Sequence, residues 1–120
     1  MSTRTEPQRP SMILATGNLL GSVPQKPKEE QFTELAASEH VRIERIVSRG
    51  HASAADDWYD EDEAEWVMVV AGAARLIFDG EEVPRALGPG DYAYIPPRKR
   101  HRVEWTDPHQ ATVWLAVHFR

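Results

Sequence analysis

The chain has 120 residues, 41% of them hydrophobic, no cysteine, and a formal net charge of −5. This length suits one domain able to bury most of its apolar residues, and the missing cysteine excludes disulfides, a thiolate nucleophile and Cys-type zinc sites. Seven of the 19 acids fall in residues 56–65 (DDWYDEDEAE), so the acidity is local and the remainder is slightly basic. The only dense basic cluster is Arg98 to Arg102, which argues against nucleic-acid binding. No apolar run is long enough for a transmembrane helix, and the N-terminus lacks the apolar core of a signal peptide, so no membrane partner is expected and the expected location is cytoplasmic.

In chain order, residues 1–12 are polar and read as a loosely attached tail. Met12 to Leu20 offers apolar residues for an edge segment. Gly21 to Lys28 is a loop with Pro24 and Pro27. Glu29 to Ala37 reads as one or two helical turns, with a strand as the alternative. From Val41 the pattern is β, with Ile46-Val47 breaking the alternation and suggesting a bulge. Ser48 to Asp57 is a loop or irregular strand. Glu65 to Val70 is apolar on both faces, as a central strand would be. Ala74 to Phe78 follows, and Asp79-Gly80 is a hairpin signal. Val83 to Leu87 contains Pro84, which points to a sheet edge. Gly88-Pro89-Gly90-Asp91 is a turn, and Tyr92 to Ile95 a strand ended by Pro96-Pro97. In the next strand His101, Val103 and Trp105 share one face by alternation. Asp107-Pro108 turns the chain, and Ala111 to Phe119 is again apolar on both faces. About eight short strands at regular spacing mean a sandwich or barrel.

Gly90, Pro96 and His101 stand at the spacing of the second motif of the cupin superfamily, which this stretch resembles. The motif's second glycine is replaced by Arg98 and its asparagine by Trp105. Glu65 and Gly72, six residues apart, match the end of the family's first motif. Its His-x-His pair is absent: those positions hold Tyr59 and Glu61, or Trp58 and Asp60 in the longer register. The resemblance covers about residues 41–119. It implies an all-β double-stranded β-helix, the cupin jelly-roll barrel, over residues 41–120, with residues 1–40 as a tail and docking segment carrying a short N-terminal helix or edge segment.

The resemblance also implies a site. The family's histidine at position 101 is a metal ligand, so His101, Glu65 and Glu61 are candidate ligands for a divalent ion (Fe, Mn, Ni or Zn), with His118 as a further candidate. Carboxylates in place of imidazoles shift preference towards Mn, Fe or Mg. Tyr59 and His51 are candidate acid–base residues. The alternative for His101 is a buried ion pair with Glu65, since a buried carboxylate needs a cation, a metal or a proton. The expected function is binding of a divalent metal and a small polar metabolite in the barrel. The alternatives are a cupin that binds a small ligand without metal or catalysis, and an inert oligomeric module. Residues 65–70 and 111–119 carry more apolar surface than one small barrel interior needs, so a second layer must cover it; the resemblance to small cupins, which usually dimerise through such faces, implies a homodimer.

Overall fold

A computed structural model describes residues 14–120. The expected tail and the start of the Met12 to Leu20 segment lie outside those residues. Eight strands follow in order: β1 (Gln31–Ala37), β2 (Val41–Ser48), β3 (Ala64–Ala71), β4 (Ala74–Phe78), β5 (Arg85–Leu87), β6 (Tyr92–Ile95), β7 (His101–Thr106) and β8 (Thr112–Phe119). One sheet has the order β1-β2-β8-β3-β6, and the other β5-β4-β7. The pairings are antiparallel. This is the two-sheet jelly-roll layout.

The core lies between the sheets. Val67, Val69, Ile95, Trp114 and Ala116 from the larger sheet meet Ala74, Leu76, Phe78 and Leu87 from the smaller one. β3 and β8 sit inside the five-stranded order, as strands apolar on both faces should. β5 lies at an edge, as Pro84 foretold.

Three local expectations are corrected. Glu29 to Ala37 forms no helix: Gln31–Ala37 is strand β1, paired with β2 from Gln31↔Val47 to Ala37↔Arg42. So short a helix would have been marginal alone, whereas the β2 edge satisfies a whole row of backbone groups. The bulge is also displaced. β2 pairs with β8 without a register shift, and the irregularity lies in β1 between Glu34 and Ala36. Finally, Trp105 does not share the face of Val103. The β4–β7 register shifts there, so Arg75 pairs with Trp105 while Leu76 pairs with Val103. The shift puts Trp105 beside exposed Arg75, whose guanidinium lies 4.5 Å from the indole centroid.

Two backbone positions with positive φ shape the connections. Gly72 has φ +92, and a Cβ there would lie 2.6 Å from Thr112 Cα and 2.8 Å from the Ala111 carbonyl oxygen. Only glycine lets β3 turn into β4 this close to the start of β8. Arg98, at the motif's second glycine, has φ 66. The left-handed turn is kept with an arginine in it.

Candidate functional site

Inward alternation brings one group of charged side chains to one end of the space between the sheets. β2 contributes Arg42 and Glu44, which alternate with Ile46. β3 contributes Glu65, β7 His101 and β8 His118. Register explains the meeting: Glu65 pairs with His118, and Arg42 pairs with the same His118 from the other side. His118 thus sits between the two strands that carry the carboxylates.

The contacts form a chain. His101 Nε2 is 3.4 Å from Glu65 Oε1, and His118 Nε2 is 3.9 Å from Glu65 Oε2. His118 Nε2 is 2.9 Å from Glu44 Oε1. Arg42 lies 4.0 Å from Glu44 and 3.7 Å from Glu63. His101 Nδ1–H donates to the Lys99 carbonyl at 2.9 Å, which turns Nε2 towards Glu65. These groups are nearly buried, so the pairing is only weakly screened by water.

Titration follows from this geometry. Burial by itself lowers the His101 pKa, but the hydrogen bonds to Glu65 and the Lys99 carbonyl and the charges of Glu65 and Glu61 raise it overall. Burial likewise opposes charge on His118, and the Glu44 hydrogen bond with the Glu65 and Glu44 charges outweighs it and the opposing Arg42. Burial raises the Glu44 pKa, yet His118 and Arg42 hold it below the usual value. Burial raises the Tyr59 pKa, helped by the charges of Glu30, Asp57 and Glu65 and opposed by a Ser53 hydrogen bond. Tyr59 is a neutral phenol at neutral pH.

These side chains border a cavity of about 300 Å³. Its floor is apolar, made by Ile46, Val67, Leu76, Ile95, Val103 and Trp114. Tyr59, Glu61, Glu30 and Phe32 complete the lining. The 57–61 segment is laced to β7. Tyr59 and His101 exchange backbone hydrogen bonds of 2.7 and 3.1 Å, and Arg98 N–H donates to the Glu61 carbonyl at 2.6 Å. The rings of Tyr59 and His101 lie 5.5 Å apart. On the other flank Trp114 Nε1–H donates to Ser48 Oγ at 3.2 Å, and Ser48 Oγ–H donates to Glu30 at 2.6 Å.

Of the residues expected from sequence, Glu65, His101, Glu61, Tyr59 and His118 all line this cavity. Glu61 is exposed, however, and the inner partners of His101 and His118 are Glu65 and Glu44. His51 is not among the lining residues. Its Nδ1 accepts from Arg49 N–H at 2.8 Å, so Nε2–H donates to the Lys28 carbonyl at 3.1 Å. Both nitrogens serve the loop, and an acid–base role for His51 has no geometric support. Sequence reading missed Glu44, Arg42, Glu30 and Phe32. The alternation Arg42, Glu44, Ile46 carried the signal for the first two, but two adjacent apolar residues, Ile46 and Val47, hid which face turned inward. Glu30 and Phe32 were lost with the expected helix.

Residues 45–118 match the cupin domain family. The chain belongs to the cupins. Among solved structures, this cupin is similar to a Ralstonia eutropha protein named provisionally a mannose-6-phosphate isomerase: 45% identity, 88% of this chain and 98% of that one, TM-score 0.86. A cupin superfamily protein from Desulfitobacterium hafniense has 17% identity, over 93% and 98%, with TM-score 0.71. The DMSP lyase of Ruegeria pomeroyi has 20% identity, over 74% of this chain and 47% of that one, with TM-score 0.60. The last two share the fold alone. No curated protein matches the chain.

The family implies a metal, and the donor chemistry tests that. Among the described residues, no group of three or more His, Asp and Glu is arranged to hold an ion. The cavity-facing imidazole nitrogens point at carboxylates, Glu65 for His101 and Glu44 for His118, so the nitrogens a metal would use are already engaged. As arranged, these residues do not fit a metal, and no chemistry below is routed through one.

Proposed function

We propose that this cupin binds a small polar molecule in the cavity between its sheets, without a resident metal. The observation that supports this is one cavity with an apolar floor and an ionic wall, a combination that selects both shape and polarity. Tyr59 and Glu61 stand at its rim as hydrogen-bonding groups. His101, Glu65, His118 and Glu44 neutralise one another and give a fixed polar surface. A thermal-shift screen of small metabolites tests the reading. A ligand at a hundred times its Kd should stabilise the protein by about 2.7 kcal/mol. The same ligand should fail on Val103→Phe, which fills the floor. Unchanged stabilisation of that variant would refute the assignment.

A second reading keeps the divalent ion. It is favoured by the Lys99 carbonyl, which holds His101 Nδ1–H and leaves Nε2 facing inward, the polarity a metal-bound histidine needs. It requires the histidine–carboxylate pairs to open and lose their protons. Elemental analysis of protein prepared without chelator decides between the two. Near one ion per chain, lost in His101→Ala, favours the metal; less than a tenth favours the paired cluster.

The isomerase name of the Ralstonia protein suggests a sugar phosphate. The charge of this cavity speaks against it. Lining residues Glu30, Glu44, Glu61 and Glu65 outnumber Arg42, His101 and His118, and Arg42 faces Glu44 and Glu63.

We also propose a homodimer through the outer face of the five-stranded sheet. Trp66 stacks on Tyr92 at 5.6 Å, and Tyr94 lies 6.4 Å from Phe119. Tyr92 and Tyr94 are 64% and 55% exposed. Aromatic groups concentrated on one sheet face suit a self-complementary contact. No helix among the described residues is long and apolar enough to cross a membrane.

A further inference from the structure

The cavity's charge is lopsided, and its wall carries aromatic rings. Even with both imidazoles protonated, four lining carboxylates face three cations. Two of those acids have no salt-bridge partner among the described residues, although the Glu61 charge acts on His101. Among the described residues, no cation pairs with the Glu61 carboxylate at the rim, and Glu30 is met only by the Ser48 hydroxyl at 2.6 Å. The three cations are each engaged: Arg42 with Glu44 and Glu63, His101 with Glu65, His118 with Glu44. In the same cavity lining stand three aromatic rings, Phe32, Tyr59 and Trp114. Phe32 is 57% exposed although it lines the cavity, so part of its ring is open to an occupant.

These features have one chemistry in common. Carboxylates without counter-ions attract a cation, and ring faces attract one that is weakly hydrated. An anion would meet two unpaired acids and no unengaged cation among the described lining residues. A cavity of low-dielectric walls sharpens that discrimination. Resting on the reading that the cavity holds a small ligand, we propose that its ligand is a small organic cation, an ammonium or similar onium head on a compact body, with Glu61 and Glu30 supplying the charge and Phe32 and Tyr59 the ring faces. The apolar floor takes the body. The charge belongs to this chain's own departures: Glu61 stands where the family's motif carries a histidine, and Glu30 precedes a strand outside the two motifs.

Calorimetry with three probes tests this at low ionic strength. They are choline, its neutral carbon analogue 3,3-dimethyl-1-butanol, and mannose 6-phosphate. Choline should bind at least ~10-fold more tightly than the neutral analogue, a modest demand for a charged contact inside a cavity. Raising the salt should erode that advantage. The double variant Glu30→Gln/Glu61→Gln should lose most of it while still unfolding cooperatively in urea. If the neutral analogue binds as well as choline, or better, the charge inference falls and the cavity reading stands. Tightest binding by mannose 6-phosphate also overturns the inference. If no probe binds, it falls together with the cavity reading. A double variant that keeps the full choline advantage removes Glu30 and Glu61 from the recognition and overturns their assignment.

Discussion

Glu65 lies between two imidazoles, and Glu65→Gln isolates what its charge contributes. At 3.4 and 3.9 Å, each attraction is worth about 4–5 kcal/mol before desolvation, at an effective dielectric constant near 20. Removing the three groups from water offsets much of this, by several kcal/mol per buried ion. The Glu65 side chain keeps 19% exposure, against 7% for His101 and 10% for His118, so cavity water screens the pair in part. Glutamine retains one acceptor and the same shape. The expected net loss is therefore about 2 kcal/mol when both imidazoles are charged. The pH dependence is fixed by sign. His101 and His118 have folded pKa values raised from 6.5, so their contribution is fully present below that value and fades as pH rises through the folded values. Glu44 is lowered from 4.5, so its contribution is present above that and fades as pH falls through its folded value. The window in which the cluster stabilises most runs from 4.5 to 6.5. Urea denaturation at pH 5.5 should put the variant's midpoint roughly 1 M below the parent's. At pH 9 the two should agree within about 0.5 kcal/mol. NMR titration should find both imidazole pKa values lowered in the variant. An equal loss at both pH values, or imidazoles that titrate as in the parent, would refute the ion-pair account.

Three further outcomes concern two turns and the outer face of the larger sheet. Gly72→Ala should cost roughly 3 kcal/mol or more, because φ +92 and backbone atoms within 3 Å of the new Cβ act together; Gly80→Ala, with φ +90 and open space, should cost only about 1 kcal/mol, and equal costs in denaturant titrations would show that the Thr112 contact yields. Arg98→Gly relieves a left-handed arginine at φ 66, a gain of about 1 kcal/mol, but loses an exposed bridge to Asp60 at 2.9 Å worth under ~1 kcal/mol, so stability should change by less than about 1 kcal/mol; a larger loss would give the Arg98–Asp60 bridge a role in fixing the rim. Sedimentation at micromolar concentration should find a dimer in the parent and a monomer in Trp66→Glu/Tyr94→Glu; a monomeric parent would end the dimer proposal.

The fold was readable because it rests on local signals. Strand edges were marked by Asp79-Gly80, Pro84 and Pro96-Pro97, and the central position of β3 and β8 by apolar residues on both faces. Gly72 and Gly90 stood where the family's layout requires them, and both have the positive φ that makes glycine the natural choice. The helix expected over Glu29 to Ala37 failed because a marginal local preference lost to the open edge of β2, a partner that lies beyond any local window. Trp105 left the expected face for a similar reason: a register shift against β4 cannot be seen in the β7 sequence.

The site divides in the same way. The sequence alone determined that Glu65 and His101 belong to it, because motif spacing fixes their places on β3 and β7. It also determined that the histidine pair is missing and that Tyr59 and Glu61 stand there instead. Only the tertiary structure showed which groups meet His101 and Glu65. Whether a buried imidazole is a ligand or a cation depends on what meets its second nitrogen. For His118 that is a carboxylate from β2, which lays Arg42 and Glu44 against β8. Long-range register, not composition, converts four titratable side chains into a mutually neutralised wall. It also leaves Glu30 and Glu61 without a salt-bridge partner among the described residues, in the same cavity lining as Phe32 and Tyr59.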